Sequence, residues 1–87
     1  MTALALFAEL MANGVGMTPV PGGTVRYTAN AGILTPDVLA QIRQHKDALY
    51  ALVEAFEERA ALAEHCGGLA RAEAQRLAWA NVQARFA

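Results

Sequence analysis

The chain contains no serine, a single cysteine, a single tryptophan and three prolines among 87 residues. Each scarcity excludes something. Without serine there is no serine nucleophile and no Ser-His-Asp constellation. One cysteine, Cys66, cannot close an intramolecular disulfide, and one cysteine with two histidines does not assemble the usual four-ligand zinc site. This usage suits a reducing compartment and leads to the expectation of a cytoplasmic protein. No apolar run approaches the roughly 20 residues that span a bilayer, so no membrane partner is expected. The opening "MTALALFAELMANG" carries Glu9 and no basic n-region, and does not read as a secretory signal. Charge of one sign is lacking too. Seven basic and eight acidic residues leave a net charge of −1, without the basic surplus of a phosphate-tracking surface.

What is present is apolar and periodic. Hydrophobic residues make up 55% of the chain, much of it alanine, which adds little buried area per residue. A domain of this size buries only roughly 60% of the surface its unfolded chain exposes. Its stability therefore benefits from any further contact made by dimerising or binding.

Residues 2–13 predict a helix. Thr2 is placed to cap it, Leu4, Phe7, Leu10 and Met11 form one stripe, and Gly14 falls where a left-handed C-cap or a turn begins. The period then changes from 3.6 to 2 across "VGMTPVPGGTVRYTANAG", residues 15–32. Pro21-Gly22-Gly23 is a turn signal between two short strands, because proline presets φ and glycine tolerates positive φ. Val15, Met17, Val25 and Tyr27 are expected on the inner face of this hairpin, and Thr24, Arg26 and Thr28 on the outer. Pro19 lacks an N–H and belongs at an edge or a strand end. Two strands alone are barely stable in water, so the hairpin must lie on helices and leave an edge open.

"ILTPDVLAQIRQ" begins the next helix, with Thr35 as cap, Pro36 at its first position and Asp37 complementing the helix dipole. The stripe Val38, Leu39, Ile42 lapses at His45 and Lys46 and resumes at Leu49, Leu52, Val53 and Phe56. A bend or a break near residues 44–46 is expected, although no glycine or proline forces one. The helix runs to about His65, where Gly67-Gly68 end it. A last helix is expected over about 70–85, with Leu77, Val82 and Phe86 as its apolar contacts. Ala70 and Glu73 have capping-box spacing, but alanine cannot supply the cap oxygen.

Residues that carry chemistry are sparse and scattered. His65 and Cys66 are neighbours, and neighbours do not share a helix face. Glu54, Glu57 and Glu58 beside Arg59 read as a solvated helix face rather than an acid–base pair. The glycines near residue 22 lead into a strand, not a helix, and make no phosphate cradle. Neither catalysis nor a cofactor is expected. The open strand edge is the feature most suited to a task. A partner peptide adding a strand there would gain backbone hydrogen bonds, with Thr24, Arg26 and Thr28 selecting its side chains. Arg26 is the only charge between Glu9 and Asp37. It suits an acidic peptide or a free carboxylate, or else discourages edge-to-edge aggregation.

The opening "LFAEL" helix ending in "NGV", the "TVRYTA" strand, "AGILTP" and "IRQHKDAL" together resemble the TubC-type N-terminal docking domains of nonribosomal peptide synthetases and hybrid polyketide synthases. The resemblance covers about residues 3–55. It implies an αββαα fold, often homodimeric, that receives the C-terminal tail of another subunit along its hairpin, with residues 24–28 as the docking strand. On that basis residues 1–65 are expected to form the docking domain, of α+β class, and residues 66–87 a C-terminal helical extension. The extension departs from the family, whose members continue into a large catalytic domain. It is similar to the ends of small bacterial proteins, some from phages and mobile elements. The alternative is thus a small homo-oligomeric accessory protein of a mobile element, with Trp79 and the last helix at its interface. In a nucleic-acid version of that reading, Arg43, Lys46, Arg71, Arg76 and Arg85 form a basic face.

Overall fold

Thr2 begins the first helix as its side chain suggests. In the computed structural model, which describes residues 2–86, Thr2 Oγ1 accepts the Ala5 N–H at 3.1 Å, and α1 runs Ala3–Ala12. Gly14 ends the helix at φ 76°. The Gly14 N–H reaches the Met11 carbonyl and the Val15 N–H reaches that of Leu10, both at 3.0 Å. This pair of bonds is a Schellman motif, and the buried Val15 and Leu10 supply its apolar contact. The motif aims the chain out of α1 and directly into the first strand.

That strand, β1, covers Gly16–Val20, and β2 covers Thr24–Thr28. They pair antiparallel, with Gly16 opposite Thr28, Thr18 opposite Arg26 and Val20 opposite Thr24. Pro21 and two left-handed glycines, Gly22 at φ 105° and Gly23 at φ 85°, make the turn. Met17, Val25 and Tyr27 pack against the core beside buried Val15, so the inner face expected from the alternation is the one observed.

Thr35 then caps α2 (Pro36–Gln44), its Oγ1 accepting the Val38 N–H at 3.3 Å. The break from α2 to α3 (Lys46–His65) falls at His45, with φ −110° and ψ 19°. Backbone bonds continue on both sides of it, His45 N–H to Gln41 and Leu49 N–H to the His45 carbonyl. The cause is the lapse in the stripe. A straight helix would carry His45 and Lys46 toward the core between Ile42 and Leu49, whereas the bend leaves Lys46 exposed and His45 half-buried.

α3 is the spine. Its 20 residues span roughly 30 Å, and α1, both strands, α2 and the last helix, α4 (Arg71–Phe86), all pack on it. The result is a small α+β fold, a hairpin on helices, with α4 closing the side that the αββαα order leaves uncovered. α4 shares the one core. Ala78 and Val82 are fully buried within it, Ala74 is likewise inaccessible, and the Trp79 ring stacks on Phe7 at 5.5 Å and 26°. Phe7 in turn meets Phe56 edge-on at 5.8 Å.

Two details of α4 and α1 differ from the sequence expectation. Leu77 is 54% exposed and Phe86 37% exposed, so of the three apolar contacts expected for α4 only Val82 is a core residue. The buried face runs Ala74, Ala78, Val82, because alanines let α4 approach α3 closely where leucine would hold it off. Trp79, placed at an interface only in the accessory-protein alternative, is half-buried and stacks on Phe7. In α1, Leu6 lies outside the expected stripe yet is 1% exposed, because the buried face is Leu6, Phe7 and Leu10, with Leu4 and Met11 only half-buried at its margin.

Candidate functional site

Thr24, Arg26 and Thr28 are all exposed on the outer face of β2, at alternate positions as a pleated strand requires. On β1 the outward partner of Arg26 is the exposed Thr18. This face is polar, and Arg26 is its only charge.

The two edges of the hairpin are not equivalent, and Pro19 distinguishes them. Antiparallel pairs alternate between those that exchange two backbone hydrogen bonds and those that exchange none. Pro19 has no N–H to exchange, so Pro19 and Val25 form a pair of the second kind. The alternation then puts the ladder bonds at Gly16/Thr28, Thr18/Arg26 and Val20/Thr24. The backbone groups of Met17, Pro19, Val25 and Tyr27 point away from the partner strand. On the β1 edge one of the two donors is missing, at Pro19. On the β2 edge Val25 and Tyr27 both present an N–H and a C=O. Among the described residues, no backbone hydrogen bond outside the ladder reaches residues 24–28. β2 is therefore the edge with a complete set of bonding groups for another strand.

The surroundings of that edge are basic. A cleft of about 130 Å³ separates β2 from the junction of α2 and α3, lined by Thr24, Val25, Tyr27, Ile42, Arg43 and Lys46. Arg43 is exposed near the end of α2 and Lys46 is exposed at the start of α3, so the bend at His45 sets both cations beside the strand. Neither they nor Arg26 is in an ion pair among the described residues. The Tyr27 phenol is held above its ordinary pKa by burial against the helices, and stays neutral at the inner side of the strand.

The β1 edge faces a different environment. A groove of about 390 Å³ lies beside it, floored by Phe7, Met11, Val53 and Phe56, with Arg71 and Gln75 of α4 on its rim. Arg71 is paired with Glu64 at 3.3 Å on the surface.

Four of the five basic residues considered together from the sequence fall at three separate places on the surface. Arg43 and Lys46 flank β2, Arg71 stands at the β1 groove, and Arg85 lies near Glu58 and Arg59. His45 and His65 stand at opposite ends of α3, and no group of three or more His, Cys, Asp or Glu side chains that could hold a metal ion occurs among the described residues. No helix of the described chain is long and apolar enough to cross a membrane.

Arg43 and Lys46 are the members of this site that sequence reasoning did not assign to it. In the linear pattern they belong to a helix stripe some 15–20 positions from β2. The one available signal was the lapse at His45-Lys46, which marks a bend without saying what the bend faces. Comparisons with protein-family models, curated proteins and solved structures yield no match to this chain.

Proposed function

We propose that the chain is a non-catalytic docking module that takes an extended, acidic peptide tail of another protein as a third strand on β2. The observation that carries this reading is the unpaired β2 edge, complete in donors and acceptors, lying between Arg26 and the Arg43–Lys46 pair. Strand addition would draw its affinity from the backbone groups of Val25 and Tyr27. Its selectivity would come from Thr24, Arg26 and Thr28 on one face and from Arg43 and Lys46 on the other. Cations flanking a strand favour carboxylates by charge-assisted hydrogen bonds and speed the encounter at low salt. The resemblance of residues 3–55 to synthetase docking domains supports this reading, under which the proposed partner tail is the C-terminus of another subunit of a cytoplasmic assembly.

The test is a titration of the chain with acidic C-terminal peptides, followed by amide chemical shifts. The largest shifts are expected at residues 24–28, with Arg43 and Lys46 moving in step. Shifts that avoid those residues, or binding indifferent to salt and to Arg26→Glu, would refute the reading. Dispersal of Arg43, Lys46, Arg71 and Arg85 over separate parts of the surface weighs against the nucleic-acid alternative.

A further inference from the structure

We propose that the groove beside the β1 edge is a binding site for a small primary amine carried on an aromatic body. It lies at the opposite edge of the hairpin from the docking strand, and α4 builds one of its walls with Arg71 and Gln75. At about 390 Å³ it falls at the small end of the range that holds compact ligands, roughly 300–1,000 Å³. Phe7, Val53 and Phe56 make its floor, and Met11 and Met17 stand half-buried at its sides. Such a lining suits a flat ring. Aromatic rings gain from edge and offset contacts with one another, and flexible thioethers adapt to a ring edge.

The polar groups of the groove decide the charge of the ligand. Two charged side chains line it, Glu57 and Arg71. Arg71 is paired with Glu64 at 3.3 Å, whereas Glu57 is in no ion pair among the described residues. Glu57 and Glu64 are two turns apart on one face of α3, a rise of about 10 Å. The Arg71–Glu64 pair is therefore drawn along α3 away from Glu57, and the uncompensated charge at the groove is the half-buried Glu57 carboxylate. The backbone acts in the same direction. Met17 lines the groove and turns its N–H and C=O away from β2, and no backbone bond outside the ladder occupies them among the described residues. Pro19, the next outward position on β1, offers a C=O and no N–H. The edge thus has more acceptors than donors. A primary ammonium has three donors and no acceptor, and can satisfy the Glu57 carboxylate and the Met17 carbonyl together. A carboxylate ligand would meet Glu57 as a like charge. In an α-amino acid the carboxylate sits beside the ammonium, too close to bridge the two-turn step from Glu57 to the Arg71–Glu64 pair.

Titrating the full chain with phenethylammonium chloride, followed by the methyl signals of ¹³C-methionine-labelled protein, tests this. Saturable shifts are expected at Met11 and Met17. Two matched compounds isolate the charge. The neutral 2-phenylethanol should bind about tenfold more weakly, the difference between a charged and a neutral hydrogen bond, and 3-phenylpropionate more weakly still. Glu57→Gln should bring the amine down to the level of the alcohol. Gln75→Lys, which sets a cation on the same rim, should weaken the amine more than the alcohol. Far-UV circular dichroism of each variant separates loss of binding from loss of fold. The proposal is overturned if phenethylammonium does not bind, binds no more tightly than the alcohol, or is matched by the propionate. It is overturned equally by shifts that bypass Met11 and Met17, or by a folded Glu57→Gln or Gln75→Lys variant that keeps the full preference for the amine. No β2 residue lines the groove, so either outcome is independent of whether β2 takes a peptide.

Discussion

Replacing Trp79 by alanine asks whether α4 is part of the fold or a tail laid upon it. Trp79 is half-buried and stacks on Phe7, which is 1% exposed and also meets Phe56. Truncating a buried aromatic to alanine costs about 3–5 kcal/mol. Half-burial reduces this to about 2 kcal/mol, and the lost ring pair adds about 0.5–1.5 kcal/mol. The expected total of about 3 kcal/mol is a large share of the roughly 4–13 kcal/mol available to a domain of this length. Urea denaturation followed by circular dichroism would read it as a lower midpoint in a single transition. Trp79→Phe should keep most of the stack and lose less. A double-mutant cycle with Phe7→Leu isolates the pair and should return a coupling of about 0.5–1.5 kcal/mol. If Trp79→Ala changes stability by less than about 0.5 kcal/mol, the range of an ordinary surface substitution, α4 is not integral to the core. A two-step transition, with the hairpin and α1 melting unchanged, would say the same.

Three further outcomes follow from local geometry. Gly14→Ala should destabilise by about 1 kcal/mol through backbone strain alone, since a Cβ there meets nothing within 4 Å; D-alanine at the same site should instead stabilise, and equal effects of the two would refute the left-handed cap. Gly16→Ala should disturb the hairpin near its open end, because the new Cβ collides with Thr28 Oγ1, and paired Gly16→Ala with Thr28→Ala should recover much of the loss in a denaturation series. Burial raises the Tyr27 pKa above its ordinary 10.0. Between the two values the unfolded chain holds fewer protons at this group than the folded one, so the Tyr27 contribution to stability is level below pH 10 and falls as pH rises above it. Tyr27→Phe should reduce that fall, and a slope identical to the parent's would show that Tyr27 does not contribute.

The elements of the hairpin and of α1–α3 were legible because each is announced by local chemistry. Thr2 and Thr35 cap helices whose neighbours offer free N–H groups. Gly14, Gly22 and Gly23 stand where positive φ is needed, and alternation of Val25 and Tyr27 with Thr24, Arg26 and Thr28 reveals which side of β2 meets the helices. The outward placement of those three residues was legible for the same reason. α4 was harder, because its buried face is alanine. Ala74, Ala78 and Val82 make a stripe of little hydrophobic contrast, while the more conspicuous Leu77 and Phe86 face outward. Large residues draw attention in a sequence, but close helix packing selects small ones.

The residues by themselves thus determined where helices start and stop, where the chain reverses, and which strand face is polar. These are decided within a few neighbours, by hydrogen bonds to caps and by allowed backbone angles. Only the tertiary structure decided that α4 belongs to the same core as α1, that Trp79 serves Phe7, and that Arg43 and Lys46 stand beside β2. Each of those depends on which surfaces meet across α3, and on the direction a bend at His45 takes. Burial of apolar area rewards many such arrangements almost equally, and close packing among particular side chains chooses one.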